Sequence, residues 1–243
     1  DYLKAIYQLA TSRSADRSEG PPRVGTVELA HQMHLSPPSV SRMLTRLSSL
    51  ELVEYEPYRG ARLTRHGERA ALEVVRHHRL LELYLHDELG YGWDEVHAEA
   101  DRLEHHISEQ LERRIFEALE YPEVDPHGEV IPTVDGAIPS HQEERLATQQ
   151  ALSSVREGNN VVVQEVKSSD SEELRYLEAM GLVPGATAEV LERYPLDGGV
   201  RLRLHADGRD AVLGQALADR IMVTGSRAQA PIRDTSEGNG RGR

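Results

Sequence analysis

Histidine and carboxylate side chains recur at helical spacing in two segments of the chain. In VHAEADRLEHH, residues 96–106, four of them fall on one helix face if each residue turns the helix by about 100°. These four are His97, Asp101, Glu104 and His105. In RHHRLLE, residues 76–82, His78 and Glu82 stand four positions apart and therefore one above the other on a helix. Imidazole nitrogen and carboxylate oxygen atoms on consecutive turns can bind one divalent cation, so the segments predict a metal site between two helices.

The distribution of histidine and charge agrees with a metal site without requiring one. Nine of the 12 histidines lie between His66 and His141. Residues 1–66 have a net charge of +2, whereas residues 67–243 carry −15. A solvated acidic helical surface is the alternative explanation of this composition. Three further histidines fall off the two stripes and are interpreted as surface residues: His77, His86 and His106.

Composition also limits the class of protein. Cysteine is absent, which excludes disulfides and thiolate metal sites and fits a reducing cytoplasm. No apolar run approaches the roughly 18–20 residues of a membrane span, and no secretory signal pattern opens the chain. We therefore expect a cytoplasmic protein without membrane contact, and its 243 residues favour two or three domains.

The elements before the histidine-rich segments predict a winged helix-turn-helix at residues 1–66. A helical pattern covers Asp1–Ala10. Two short helices follow after a polar loop, and Thr26 and Ser36 can cap them. The segment LVEYEPYRGARL, residues 52–63, then contains two strand-like runs around a turn, which is typical of a hairpin. A hairpin after a helix-turn-helix is the wing of a winged helix.

After residue 66, the sequence pattern is first helical and then typical of β-strands. Thr64 can cap a long helix running towards Leu89, and a further helix is predicted over about Asp94–Leu119. An apolar stripe on that helix could form a dimer surface or equally pack within its own chain: Leu111, Ile115 and Leu119. The predicted units are a helical metal-binding and dimerisation domain at 67–140, a linker at 141–154, a small β-barrel at 155–226 and a disordered tail at 227–243.

The second helix of the helix-turn-helix and the hairpin carry residues suited to nucleic acid. The helix begins SPPSVSR, which offers short hydroxyls, an apolar proline and an arginine to a major groove. Its candidate contact residues are Ser36, Pro38, Ser39, Ser41 and Arg42, and those of the hairpin are Tyr58 and Arg59, with Arg62 nearby. Winged helices also serve as protein-binding modules, but basic residues on both elements favour double-stranded DNA.

Several segments together resemble a known family. DYLKAIYQL, SPPSVSRMLTRL, YEPYRGARLT, RHHRLLE and VHAEADRLEHH occur in the order seen in the diphtheria toxin repressor and manganese transport regulator family, over about residues 1–140. VVVQEV and LRYLEAMGLVPGATAEV extend the resemblance to residues 155–226, which are similar to the SH3-like domain of the longer members, itself related to ferrous-iron transport accessory domains. The resemblance implies a mainly α fold with a small β part. It also implies a homodimeric repressor of metal-homeostasis genes that binds palindromic operators when loaded with Mn(II) or Fe(II).

The resemblance implies three sets of metal ligands. The primary site would comprise Asp1, Asp101, Glu104 and His105. The ancillary site would comprise His78, Glu82 and His97. The SH3-like domain would add Asp170 and Glu173, although an acidic pair at a helix start is also favourable to the helix dipole alone.

Two features of the chain depart from the patterns of the family. Iron-responsive members have Met and Cys where this chain has Asp1 and Asp101, and hard carboxylates favour Mn(II) over softer metals. The short manganese regulators have Glu at the position of Lys4, where it helps to build a two-metal site, and a protonated lysine cannot coordinate. We therefore expect Mn(II), with Fe(II) as the alternative cofactor, in two separated sites.

Two other classes of protein compete with this interpretation. A metal-independent winged-helix regulator that senses a small molecule would explain residues 24–66 but leaves the ligand stripes without a purpose. A metal-dependent hydrolase would use such ligands, but the sequence has no nucleophile motif, Gly-rich phosphate loop or HExxH arrangement. The sequence thus favours a regulator over an enzyme and leaves the operator and the regulated genes open.

Overall fold

The computed structural model describes residues 1–12, 22–194 and 198–225. The tail expected to be disordered and most of the polar loop expected after the first helix lie outside these ranges. Within them, the helices are all too short or too polar to cross a membrane.

The predicted helix-turn-helix and hairpin are confirmed. The elements are α1 (Tyr2–Ser12), α2 (Thr26–Gln32), α3 (Pro37–Ser49), β1 (Val53–Glu56) and β2 (Gly60–Leu63). Ile6, Leu29 and Leu44 are fully buried in one apolar cluster that holds the three helices together. Gly25, rather than the expected Thr26, occupies the N-cap of α2, because Thr26 already belongs to the first turn.

A long helix, α4 (Arg65–Asp87), begins where the sequence predicts it. The Thr64 hydroxyl accepts a hydrogen bond from the Gly67 amide at 3.1 Å and so satisfies a free N–H group of the first turn. Close packing requires glycine at position 67, since a Cβ there would lie 1.8 Å from the Leu52 carbonyl oxygen. These contacts fix the start of α4 against the chain that enters the hairpin.

The single helix predicted over Asp94–Leu119 is wrong. The chain forms two helices there, α5 (Val96–Leu103) and α6 (Glu109–Ala118). The Ser108 hydroxyl accepts a hydrogen bond from the Leu111 amide at 3.2 Å, so Ser108 caps a new helix in the middle of the periodic segment. Sequence periodicity does not detect this interruption because apolar residues continue on both sides of it.

The apolar stripe predicted as a possible dimer surface is largely used inside the chain. Ile115 is buried, and Leu119 packs against the same cluster, which also contains Leu80 and Val96. Leu111 is 48% exposed. Of the three stripe residues, Leu111 is therefore the one exposed enough to contact a partner.

The residues predicted as a linker contain regular structure. They form most of α7 (Ser140–Thr148) and then β3 (Gln150–Ala151), which pairs with the last strand of the chain. Gln142 is buried, and its amide bonds the Glu123 carboxylate at 2.5 Å. The segment is thus packed against the helical domain at one end and the sheet at the other.

The C-terminal part is a β-sheet domain, as predicted. Its further elements are β4 (Asn160–Val166), α8 (Ser171–Met180), β5 (Thr187–Arg193), β6 (Val200–Leu204), β7 (Asp210–Leu213), α9 (Gln215–Ala218) and β8 (Ile221–Gly225). The six strands pair antiparallel in the order β3-β8-β4-β5-β6-β7. Leu174 and Leu177 of α8 are fully buried in the core of this domain.

The sheet domain packs directly on the helical domain. Trp93, just before α5, belongs to the apolar core of the sheet domain. The Val166 amide of β4 donates to the His127 carbonyl at 2.9 Å. Gly128 lies so close to β4 that a Cβ there would be 2.0 Å from the Gln164 carbonyl oxygen. The loop containing His127 and Gly128 is therefore held between the two domains.

Candidate metal centre

The first group of possible ligands, here the outer cluster, consists of Asp1, Glu104 and His105. The His105 Nε2 atom lies 2.5 Å from Asp1 Oδ1 and 3.4 Å from Glu104 Oε1. Asp1 and His105 are exposed, whereas Glu104 is buried. Asp1 precedes α1 of the winged helix, and the other two residues follow α5. The outer cluster therefore joins the winged helix to the helical domain with one nitrogen and two carboxylate donors.

The second group, here the middle cluster, consists of His78, Glu82, His97 and Asp101. Glu82 Oε1 lies 3.0 Å from His78 Nε2 and 2.9 Å from His97 Nδ1. Asp101 Oδ1 is 3.3 Å from His78 Nδ1, and Asp101 Oδ2 is 3.7 Å from His97 Nε2. The structure thus brings together the expected ancillary residues and places Asp101 beside them rather than beside Asp1 and His105. Helices α4 and α5 supply all four side chains.

Lys4 lies between the outer and middle clusters. Its Nζ atom is 2.7 Å from Glu104 Oε2, 2.9 Å from Asp101 Oδ1 and 2.9 Å from His78 Nδ1. The lysine side chain is 9% exposed, so these contacts replace most of its hydration. Lys4 belongs to α1 and therefore adds a second connection between the winged helix and the helical domain.

Opposite charges shift the proton equilibria of the buried members. Burial disfavours a charged His78, but the Glu82 charge and hydrogen bonds to Glu104 and Glu82 outweigh it and raise the pKa of His78 to about 9. Burial acts to raise the pKa of Glu104, but hydrogen bonds from His78 and Lys4 lower it to about 2. Glu104 is thus a carboxylate at neutral pH, and His78 must release a proton before it can bind a cation.

A third group, here the inner cluster, was missed by sequence reasoning and consists of Glu82, Asp125 and His127. All three residues are buried, and each offers a ligand atom within 4.8 Å of the others. Asp125 and His127 belong to the loop segment DPHG, residues 125–128, where no helical period links them to Glu82. The close Asp-x-His spacing was the available signal, but a search for helical stripes does not detect it.

Hydrogen bonds leave lone pairs of the inner cluster free. His127 Nε2 is 3.0 Å from the Trp93 carbonyl and must donate to it, so Nδ1 keeps its lone pair and faces Glu82 Oε2 at 4.0 Å. Asp125 Oδ1 accepts hydrogen bonds from the amides of His127 and Glu129. Asp125 Oδ2 is buried without a hydrogen-bond partner in the described chain. An oxygen and nitrogen donor set with a free buried carboxylate oxygen fits a divalent cation.

The charge balance of the inner cluster also favours a cation. Burial, followed by the charges of Glu82 and Glu129, raises the pKa of Asp125 well above its ordinary value. Burial lowers the pKa of His127. The nearest fixed positive charge is Arg79, whose Nε atom is 3.8 Å from Asp125 Oδ2. Without a cation, these surroundings disfavour the ionised carboxylate of Asp125. A bound cation would stabilise that carboxylate.

The two acidic residues expected from the sheet domain serve local structure. Asp170 caps α8 by accepting hydrogen bonds from the amides of Glu172 and Glu173. Glu173 accepts from the Ser168 hydroxyl at 2.6 Å and pairs with Arg220. Their role as ligands stays a prediction of the resemblance.

His77, interpreted from the sequence as a surface residue, is instead mostly buried and hydrogen-bonded. Its Nδ1 atom is 3.1 Å from the Glu104 carbonyl, and its Nε2 atom is 3.3 Å from Glu112 Oε2. The hydrogen bond to Glu112 raises the pKa of His77, and this effect is larger than that of burial, which lowers the pKa. His77 therefore positions the backbone of a candidate ligand and was missed because it lies off the stripe.

The residues predicted to face nucleic acid lie on one accessible part of the winged helix. On α3, Ser36, Pro38 and Arg42 are exposed, and Ser39 and Ser41 are partly exposed. The Arg42 guanidinium approaches only the Ser39 hydroxyl, at 3.4 Å, among the contacts of the described chain. Arg42 is thus available to an external anion.

The wing is differently arranged. Tyr58 at its tip is fully exposed. Arg59 pairs with Glu56 at 3.1 Å, and Arg62 pairs with Glu54 at 2.7 Å. A phosphate would therefore have to compete with carboxylates for both wing arginines, but not for Arg42.

Comparison with known proteins covers almost the whole chain. Family models match residues 1–61 as the N-terminal DNA-binding domain of iron-dependent repressors, residues 64–133 as their metal-binding and dimerisation domain, and residues 150–225 as a FeoA domain. A manganese-dependent transcriptional repressor in complex with manganese superposes with a TM-score of 0.81 at 35% identity, covering 93% of this chain and 99% of that one. The chain belongs to the diphtheria toxin repressor and iron-dependent repressor family.

Sequence relatives of this family differ in how much they share with the chain. The diphtheria toxin repressor of Corynebacterium diphtheriae is 29% identical over 230 residues, covering 91% of this chain and 94% of its own. The iron-dependent repressor IdeR of Mycobacterium leprae is 37% identical over 131 residues, so the match spans about half of its length, 54%. The name of IdeR refers to iron and that of the superposed repressor to manganese, so membership of the repressor family does not select one metal.

Proposed function

We propose that this chain is a metal-dependent DNA-binding repressor, active as a homodimer and controlled by Mn(II). The observation that carries the proposal is the outer cluster, in which Asp1 of the winged helix meets Glu104 and His105 of the helical domain. A cation held there would connect the DNA-binding unit to the domain that positions it. The ligand set we propose is Asp1, Glu104 and His105 in the outer cluster and His78, Glu82, His97 and Asp101 in the middle cluster, with Glu82, Asp125 and His127 of the inner cluster as a further cation site.

The residues themselves account for regulation by a cation. Without one, Glu104 is already paired with Lys4 and His78, and the winged helix meets this cluster through Asp1 and Lys4. A bound cation would attract Asp1, Glu104 and His105 at once and so favour the arrangement in which α1 is drawn against the end of α5. By linkage, the cation can increase DNA affinity only as far as it binds this arrangement more tightly than others.

The donor chemistry supports Mn(II) over Fe(II) and later metals. All candidate ligands are carboxylate oxygen or imidazole nitrogen atoms, and the chain has no cysteine. Sets rich in hard oxygen donors suit Mn(II), whereas sulfur ligands favour softer or later metals. The manganese-bound repressor that superposes on this chain supports the same choice.

The exposed surface of α3 supports the DNA-binding part of the proposal. A major groove admits one helix, and the exposed residues of α3 include hydroxyls and the uncompensated Arg42. The family's dimerisation domain favours a homodimer, and a twofold protein favours a palindromic operator. The proposed DNA contacts are Ser36, Pro38, Ser39, Ser41, Arg42, Tyr58 and Arg59.

A metal-titrated DNA-binding assay tests the proposal. The probe is a fluorescent promoter fragment of a divalent-metal transporter gene from the source genome, with a shuffled fragment as control. We expect Mn(II) to increase the affinity for the promoter by tenfold or more, in line with a coupling free energy of about 1–3 kcal/mol. Equal affinity with and without Mn(II) would indicate a regulator with another signal, and Mn(II)-dependent turnover of the DNA would indicate an enzyme.

A further inference from the structure

Lys4 is the one lysine of the described chain that is buried among carboxylates and a histidine. Lys167, the other lysine of the sequence, is 44% exposed and pairs with Glu165. The Lys4 ammonium donates hydrogen bonds to Asp101 on α5 and to Glu104 just beyond it, at 2.9 and 2.7 Å, and lies 2.9 Å from His78 Nδ1 on α4. A lysine buried in this way needs compensating charge, and Asp101 and Glu104 provide it.

In both Glu104 and Asp101, the two carboxylate oxygen atoms face different partners. Glu104 presents Oε2 to Lys4 and Oε1 to His105, at 2.7 and 3.4 Å. Asp101 presents Oδ1 to Lys4 and Oδ2 to His97, at 2.9 and 3.7 Å. In each carboxylate, the oxygen that faces the ammonium also faces His78 Nδ1, at 2.7 Å for Glu104 and 3.3 Å for Asp101, and the other oxygen points towards a separate histidine. The ammonium occupies the position that a cation shared by both clusters would need.

We propose that Lys4 acts as a built-in cation that takes the place of a bridging metal ion between the outer and middle clusters. This inference rests on the proposed function, because it assumes that the clusters bind metal. A bridging ion needs oxygen atoms from Asp101 and Glu104, and Lys4 holds one of each. Lys4 thereby restricts these two clusters to separate ions and weakens their affinity through the repulsion between its charge and the metal's.

Replacing Lys4 by glutamate tests this assignment, because the change removes the ammonium and adds a carboxylate at the same place. Arg102→Glu is the matched control, since it makes the same charge change on α5 at a side chain that is 75% exposed. Lys4→Arg is the conservative variant that keeps the positive charge. Each full-length protein is titrated with Mn(II) alone by equilibrium dialysis, and the bound Mn(II) is examined by electron paramagnetic resonance.

We expect Lys4→Glu to bind one more Mn(II) per chain than the parent and to show a spin-coupled signal, since carboxylate-bridged ions lie about 3.5–4 Å apart. The parent, Lys4→Arg and Arg102→Glu should show uncoupled Mn(II) and the parent stoichiometry. If the glutamate variant does not fold, the neutral Lys4→Gln replaces it and should bind Mn(II) at least roughly tenfold more tightly than the parent, as expected when a contacting like charge is removed.

The outcomes separate this inference from the proposed function. If the parent binds Mn(II) and responds to it on DNA but the Lys4 variants keep its stoichiometry, spectrum and affinity, the Lys4 inference alone is wrong. A coupled signal in the parent overturns it as well. If the parent and all variants bind no Mn(II) at micromolar concentrations, the proposed function and this inference both fail.

Discussion

Asp1 and His105 are separated by 104 positions in the sequence, yet Asp1 Oδ1 lies 2.5 Å from His105 Nε2. This contact joins the start of the first helix of the winged helix to the segment after α5. Glu104 lies beside it and is buried. A cation bound to this pair would therefore connect the helical domain to the DNA-binding unit.

His105→Ala should remove the response to Mn(II) without unfolding the chain. His105 is partly exposed, and its loss leaves two carboxylates with no nitrogen donor in the outer cluster. We expect the DNA affinity of the variant to stay unchanged at Mn(II) concentrations that saturate the response of the parent. Fluorescence anisotropy measures this, with His106→Ala as the control because His106 is an exposed neighbour outside the clusters. An identical Mn(II) response in both variants would remove His105 from the ligand set.

Arg42→Ala should weaken DNA binding and leave metal binding unchanged. The Arg42 guanidinium projects from α3 with only a weak contact to Ser39. Loss of a base contact should cost about 1–3 kcal/mol and relax specificity at one base pair, whereas loss of a phosphate contact should lower affinity for all sequences and flatten the salt dependence. Arg46→Ala, in the last turn of the same helix, controls for charge. Unchanged affinity for specific and random DNA would place Arg42 outside the interface.

Asp125→Asn should stabilise the metal-free protein at neutral pH. Burial and the charges of Glu82 and Glu129 raise the pKa of Asp125, so the folded chain binds more protons than the unfolded chain above the ordinary carboxyl pKa of about 4. Stability therefore falls as pH rises from there through the folded-state pKa, and asparagine avoids that loss. We expect a gain of about 1–2 kcal/mol at pH 7 that disappears near pH 4.

Urea denaturation in the presence of a chelator measures this effect of Asp125→Asn. Asp135→Asn, at an exposed carboxylate of the following loop, is the control. The same substitution in the inner cluster should lower the number or the affinity of bound Mn(II), because asparagine is a weaker ligand than a carboxylate. If Asp125→Asn is no more stable than the parent at pH 7, the charge of the Asp125 carboxylate is compensated by its surroundings.

How far the sequence predicts the site depends on whether its residues share a helix. His97 and Asp101 on α5, and His78 and Glu82 on α4, follow helical spacing, so their meeting could be predicted. The partners of Asp101 could not, because Lys4 approaches it from α1, 97 positions away. Ligand sets that depend on the docking of two domains are not encoded in any local period.

The loop contributions were likewise beyond sequence reasoning. Asp125 and His127 reach Glu82 through a turn held against β4, and neither helical nor strand spacing applies there. The end of α5 was also missed, because the cap at Ser108 interrupts a pattern whose apolar positions continue. The winged helix was predictable since helix periods and hairpin alternation agree over one short segment.

Gly128→Ala should loosen the contact between the helical and sheet domains. Its φ is +86°, and a Cβ would lie 2.0 Å from the Gln164 carbonyl oxygen of β4. Gly158→Ala is the matched control, with φ of +78° and no atom within 4 Å of the added Cβ. We expect the control to lose about 1 kcal/mol and Gly128→Ala about 2–4 kcal/mol, because only the latter combines backbone strain with a clash.

Urea denaturation measures the two glycine variants, and limited proteolysis of the segment before β3 reports on domain docking. Gly128→Ala should be cut faster and should bind Mn(II) more weakly in the inner cluster, since the loop that carries Asp125 and His127 has to move. Equal losses in both variants would mean that the loop adapts without disturbing the interface.

The central claim, that a metal ion controls the position of the winged helix, is tested most directly by measuring Mn(II) affinity with and without DNA. Linkage requires that DNA tighten Mn(II) binding by the same factor by which Mn(II) tightens DNA binding. Isothermal titration calorimetry of the parent protein, free and saturated with its operator fragment, gives the factor by which DNA tightens Mn(II) binding. Fluorescence anisotropy gives the factor by which Mn(II) tightens DNA binding. The account predicts equal factors of about tenfold or more, reduced to near one in His105→Ala. Mn(II) affinity that is the same with and without DNA would contradict it.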